Sequence, residues 1–329
     1  MDNRDIHVLK YFSSFVSVSN GRVINITDPV LTFCPLAEHL YKDFKSISGN
    51  DKEAVKDAIK KAIESKIKNY GFFTDDRKFS FDDVSIPYGA SEMLSFALRK
   101  KAIDTAVVVC EGAGTVITDK PNTVQGIGAR MNSLLLTSPI AGIIRDLKAS
   151  GCRVVFENAL IDQVRGVEEA IKVGYKKIGV TVCGHSAESF KMLRSLEKEY
   201  GVSIVCLAVC TTGIAREKIN MISKYADLVW SCASSDLRGI IGPLAILQLS
   251  RQIPIFVLTK KGVDFVSAYA REEEIIKNLD IKKQYLISND PGGQSVHLGS
   301  SKAYINESKL PIGSRKEPVF KDKNEYASV

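Results

Sequence analysis

No apolar run in this 329-residue sequence is long enough to cross a membrane. The longest, residues 134–144 and 253–258, are broken by Thr, Ser or Pro and fall short of the roughly 20 residues that a spanning helix needs. A membrane protein is therefore not expected. Asp2 and Asp5 put acidic charge in the opening residues and no apolar signal core follows, which points to the cytoplasm. Cysteine never occurs as a Cys-x-x-Cys pair, and Cys206 with Cys210 have the spacing of neither a zinc ribbon nor a ferredoxin. Seven cysteines without an export signal do not make a disulfide framework, so free thiols are expected. Histidine is scarce, with only His7, His39, His185 and His297. Like-charged blocks are missing too: the net charge of +7 comes from Lys and Arg that alternate with Asp and Glu, a solvated basic surface and not a nucleic-acid face.

What is there is the ordinary globular mixture, 45% apolar and 25% charged, in a chain longer than one usual domain. The boundaries are expected at 1–102 for a smaller N-terminal α+β unit, 103–290 for an α/β body and 291–329 for an irregular C-terminal tail. Residues 15–18 and 23–26 flank Asn20-Gly21, a strong hairpin signal because both residues tolerate positive φ. Cys34-Pro35 lies in a less regular stretch. Val55, Ala58, Ile59, Ala62, Ile63 and Ile67 recur at helical spacing with Lys and Glu between them. A helix over 91–101 and a buried strand over 105–110 follow. Residues 115–137 read as a long functional or covering loop, being polar and punctuated by glycine. Ser138-Pro139 then reads as the cap and first turn of a helix closed by Gly151.

From there strands are expected at 153–156, 178–183, 203–210, 228–232, 255–259 and 285–288, separated by helical patterns. This spacing is that of parallel β-α repeats, whose crossovers must return across the sheet. The fold class is α/β with a mostly parallel sheet; an open doubly wound sheet is favoured over a (β/α) barrel because one strand too few is counted for closure.

Chemistry is sought at the strand ends. Cys110, Cys183, Cys210 and Cys232 each close an expected strand and precede a small or polar loop, so four thiols are expected to converge on one edge. Cys183-Gly184-His185 adds an imidazole. These five residues are the candidate ligands of a thiophilic transition metal or an iron–sulfur cluster. The plainer reading is that most of these cysteines are packing residues, since free Cys behaves as a small hydrophobe, and that His185 caps a helix. Glu111 and Glu157 at strand ends, with His185, are the acid–base candidates, and Asp162 and Gln163 either face the same space or cap a helix. Gly112, Gly114, Gly126 and Gly128 are candidate cofactor-cradling glycines, although neither pair completes a dinucleotide fingerprint. Glu111–Gly114 and Gln125–Gly128 are expected to form a lid or wall over the edge.

The segments Cys110-Glu111-Gly112-Ala113-Gly114-Thr115, Val124-Gln125-Gly126-Ile127-Gly128, Phe156-Glu157-Asn158-Ala159, Asp162-Gln163-Val164 and Gly174-Tyr175-Lys176-Lys177-Ile178 resemble the methanogenesis marker protein 8 family, from the N-terminal hairpin to Thr259. The resemblance implies an anaerobic archaeal setting and service to methyl-coenzyme M reductase or its maturation factors. It carries over no catalytic residue. Three readings stay open: a metal- or cluster-handling protein, an assembly factor for a protein partner, and an α/β enzyme acting on a small anionic substrate.

Overall fold

The computed structural model describes residues 5–32, 51–79, 88–131, 133–313 and 319–320. Cys34, Pro35, His39 and the tail from Lys321 lie outside the described residues.

Two sheets organise the chain. The smaller begins with β1 (His7–Tyr11), β2 (Ser14–Ser19) and β3 (Arg22–Ile26), all antiparallel. Asn20 and Gly21 take φ of 49° and 63°, as a two-residue hairpin turn demands. Helix α1 (Lys52–Tyr70) starts where the Asp51 side chain accepts from the Ala54 N–H and stops at left-handed Gly71. Its stripe of Val55, Ala58, Ile59, Ala62 and Ile63 packs on Leu9, Val16 and Val18. The fourth strand, β6 (Ser133–Thr137), pairs antiparallel with β1. The small sheet thus draws a strand from well beyond residue 102.

The larger sheet has eleven strands and is open. Its centre is β4 (Thr105–Cys110), β8 (Lys177–Cys183), β9 (Ser203–Val209) and β10 (Leu228–Trp230), side by side and parallel. On one flank, β5 (Gly114–Thr118) and β7 (Arg153–Val154) run antiparallel. The other flank carries β12 (Ile255–Val257), β11 (Leu247–Leu249), β13 (Tyr285–Ser288), β15 (Ser301–Glu307) and β14 (Gln294–Leu298), where β11 and β13 alone are parallel neighbours. The expectation of a mostly parallel sheet therefore holds only for the centre. The cause is connection length: residues 250–254 between β11 and β12 are too few for a crossover, which forces the strands antiparallel.

Helices α2 (Ala90–Arg99), α3 (Pro121–Gly128), α4 (Ala141–Ala149), α9 (Lys260–Ser267) and α10 (Glu273–Lys277) cover one face with Val205, Leu207 and Leu247. Helices α5 (Gln163–Val173), α6 (Glu188–Tyr200), α7 (Arg216–Tyr225) and α8 (Ser235–Ile241) cover the other with Val180, Ile204 and Ala208. The crossovers from β8 to β9 and from β9 to β10 use this second face, whereas the longer connection from β4 to β8 has α3 and α4 on the first face and α5 on the second.

Three local expectations are corrected. Residues 115–137 are not a loop: they hold most of β5, then α3 and β6. Helix α4 begins at Ala141 after Ile140, with no side-chain cap, and the Ser138 hydroxyl instead accepts from the Ile6 N–H, tying the small sheet to this point. Residues 294–307 are a hairpin and not irregular tail. Among the described residues no helix is long and apolar enough to cross a membrane.

Candidate functional site

The central strands deliver three of the four strand-end cysteines to one place. β8 and β9 pair in register down to Cys183 opposite Val209, so Cys210 follows directly beside Cys183. Cys210 and Cys232 both sit in the left-handed region, with φ of 57° and 47°. For residues with a Cβ this costs roughly 1 to 2 kcal/mol each. The strain has a consequence. Cys206 and Ala208 pack into the α5–α8 layer, and strict alternation would send Cys210 after them. The left-handed turn takes it out of the pleat.

The small sheet closes the site from above. Lys10 of β1 stands opposite Ser133 of β6, so both project from the same face. The Ser133 hydroxyl lies 3.8 Å from Cys183 Sγ. Lys10 Nζ lies 3.1 Å from His185 Nε2 and donates to the Thr212 carbonyl at 3.4 Å.

These contacts decide where the proton and charge reside. Cys183 is pulled down to about 6, first by the hydrogen bond from the Cys210 S–H, then, against burial, by the His185 backbone N–H, the Ser133 hydroxyl and the Lys10 charge. Cys210 is pushed well up by that same hydrogen bond, by burial and by the Cys183 charge, with a smaller push from Cys232. The two sulfurs are thus drawn in opposite directions, Cys183 toward the thiolate and Cys210 toward the thiol. Burial lowers Lys10, while both sulfurs raise it. Burial lowers His185 as well, and the charges of Lys10 and Lys218 add to it; the ring is neutral and its Nε2 accepts from the Lys10 ammonium. All three cysteines are half-buried.

The remaining sequence candidates are elsewhere. Pairing of β4 with β8 ends at Val107 opposite Val180, short of the cysteines, because β4 there turns back into its hairpin with β5. Cys110 is fully buried with Sγ 3.7 Å from Glu111 Oε2, and burial and the Glu111 charge push its thiol well up. Glu111 is itself wholly buried and ion-paired to the Arg77 Nε; Arg77 also donates to the Gly126 carbonyl at 2.9 Å and stacks 3.8 Å from the Phe72 ring centre. A carboxylate so neutralised is a structural anchor. Glu157 is exposed and pairs with Lys148 on the surface. Asp162 caps α5 by accepting from the Arg165 N–H. Gln163 clamps β4 to β8, donating to the carbonyls of Val107 and Thr181.

Gly112 and Gly114 make the tight β4–β5 turn at φ of 72° and 67°. Gly126 and Gly128 lie inside α3, where a Cβ would run into the Phe79 carbonyl and the Ser91 side chain respectively. They serve close packing, and Gln125–Gly128 is no lid. Among the described residues no group of three or more His, Cys, Asp or Glu side chains is arranged to hold a metal ion. Sequence reasoning missed Lys10, Ser133 and Arg77. Lys10 offered one signal, a lone cation at a non-core position of an otherwise apolar strand.

Comparison with known proteins identifies the family. An uncharacterized protein of Methanocaldococcus jannaschii, MJ0054, is 40% identical over 271 residues, covering 82% of this chain and 92% of its own length. A family model described as an uncharacterized protein conserved in archaea (DUF2099) matches residues 7–271, a span that takes in every residue of the thiol site. The chain belongs to this conserved archaeal family.

Proposed function

We propose that the protein works through the Cys183 sulfur as a thiolate nucleophile at the ends of its central strands. One observation carries this reading: the Ser133 hydroxyl lies 3.8 Å from Cys183 Sγ, and with the Cys210 thiol, the His185 backbone N–H and the Lys10 charge it favours the thiolate against burial. A buried thiol kept only for packing is pushed up, as Cys206 is, to about 12. The attacking species is the thiolate, so its fraction at neutral pH sets reactivity. The test is the rate of iodoacetamide labelling at Cys183 against pH, followed by mass spectrometry. The expected profile has its midpoint near pH 6. A midpoint near 9, or no labelling of Cys183, would overturn the reading.

A second reading keeps the sequence expectation that the three sulfurs with His185 take up a soft metal or cluster, against which stands the finding that among the described residues no three such side chains are arranged to hold one. Metal content after anaerobic purification separates the two, since stoichiometric iron or zinc lost on Cys183→Ser would replace the nucleophile by a ligand. The resemblance to the methanogenesis marker protein 8 family supports a cytoplasmic, anaerobic setting, in which exposed thiolates persist. It also supports methyl-coenzyme M reductase or its maturation factors as partners, to be sought by co-purification from native extract.

A further inference from the structure

The thiolate reading of Cys183 leaves a neighbouring cost unexplained. Cys210 is held in a left-handed conformation that glycine would adopt freely, yet a sulfur is kept there. We propose that Cys210 is the resolving thiol of a two-cysteine site that reduces small disulfides, with Cys183 as the attacking sulfur. This inference rests on Cys183 being the nucleophile, and it adds the substrate class and the second half of the reaction.

Placement supports it. Cys183 is in register with Val209 on the adjacent parallel strand, so Cys210 follows at the next position. Neighbouring strands run roughly 4.8 Å apart and one residue rises roughly 3.3 Å, so this diagonal pair is roughly 5.8 Å apart, inside the roughly 4.4 to 6.8 Å between Cα atoms that a disulfide spans. The left-handed turn at Cys210 takes it out of the α5–α8 layer at the position next to Cys183, so a bond between the two sulfurs needs no change of strand register. Both sulfurs are half-buried, with Lys10 and Ser133 of the small sheet against them, which suits a small disulfide better than a folded protein's loop.

The chemistry balances without any further group. The Cys183 thiolate attacks one sulfur of RS–SR′; a Cys183–SR bond forms, the substrate's S–S bond breaks, and R′S⁻ leaves with the electron pair. Cys210 then gives up its proton and attacks Cys183 Sγ. The Cys183–Cys210 disulfide forms, the Cys183–SR bond breaks, and the departing sulfur takes the proton as RSH. The substrate gains two electrons and the cysteine pair loses them. An external dithiol reverses the protein's oxidation by the same exchange.

The test uses the reduced full-length chain under nitrogen with dithiobis(nitrobenzoate) as the disulfide. For the wild type, peptide mapping is expected to find Cys183 joined to Cys210 with no aryl group retained. Cys210→Ser is expected to release about half as much thionitrobenzoate from the site and to keep the aryl mixed disulfide on Cys183. An aryl group retained on wild-type Cys183, or a bond from Cys183 to Cys232, overturns the resolving role while the nucleophile stands. An unreacted Cys183 overturns both. Should Cys210→Ser fail to fold, the wild-type map decides by itself.

Discussion

Lys10 and Ser133 act on Cys183 from one wall because they face each other across β1 and β6. The lysine is the only one of the four groups that brings a full charge, yet its pull on Cys183 is the smallest of the four. Lys10→Met is expected to move the labelling midpoint of Cys183 upward from about 6 by less than about one pH unit. Ser133→Ala, which removes the hydroxyl 3.8 Å from Cys183 Sγ, should move it in the same direction and at least as far. Equal profiles for wild type and Lys10→Met would mean that the charge is screened. The same attention to neighbours explains why Glu111 failed as a catalytic candidate: its strand-end position was legible, but Arg77, which neutralises it, comes from a turn 34 residues earlier. Nothing in the sequence between them links the two.

Elements formed where the sequence pattern was strong and one-sided. Helix α1, capped by Asp51 and ended by Gly71, and the Asn20-Gly21 hairpin were readable because periodicity and turn chemistry agree. Helix α3 was not, since Gly126 and Gly128 look like loop residues until the neighbours they accommodate are known. Gly126 packs against the Phe79 carbonyl, whereas Gly239 in α8 has open space where a Cβ would go. Two helical glycines should accordingly respond to alanine with opposite signs. Gly126→Ala should destabilise by about 1 to 3 kcal/mol through overpacking, and Gly239→Ala should stabilise by about 0.5 to 1 kcal/mol through helix propensity. Urea denaturation of the two variants checks this, and a shift of the same sign in both would contradict the packing account. The β14–β15 hairpin was missed for a related reason: its strand Gln294–Leu298 is exposed at its first two positions, so the apolar signal of a core strand is halved.

For the whole molecule, the buried titrating groups set how stability follows pH. Cys183 is pulled below its ordinary 9.0 to about 6, so the unfolded chain binds more protons between those values and stability climbs with pH across that window. Lys66, lowered by burial from 10.5 to about 7, works in the same direction above pH 7. Cys110, Cys206 and Cys210 are raised above 9.0, so above that pH the unfolded chain loses protons that the fold retains and the slope is opposed. The thermal midpoint is expected to rise from pH 7 to 9, and a Cys183→Ser, Lys66→Met double variant should flatten that rise; an unchanged slope would show that other groups dominate. By itself the sequence determined the α/β class, the central parallel strands and the presence of thiols at their ends, because those follow from local period and from short-range turn chemistry. Only the tertiary structure decided the antiparallel flanks, the exclusion of Cys110 and the entry of Lys10 and Ser133. Each of these depends on which distant strands become neighbours, and the pairing of β1 with β6 across more than a hundred residues is set by packing that no local pattern records.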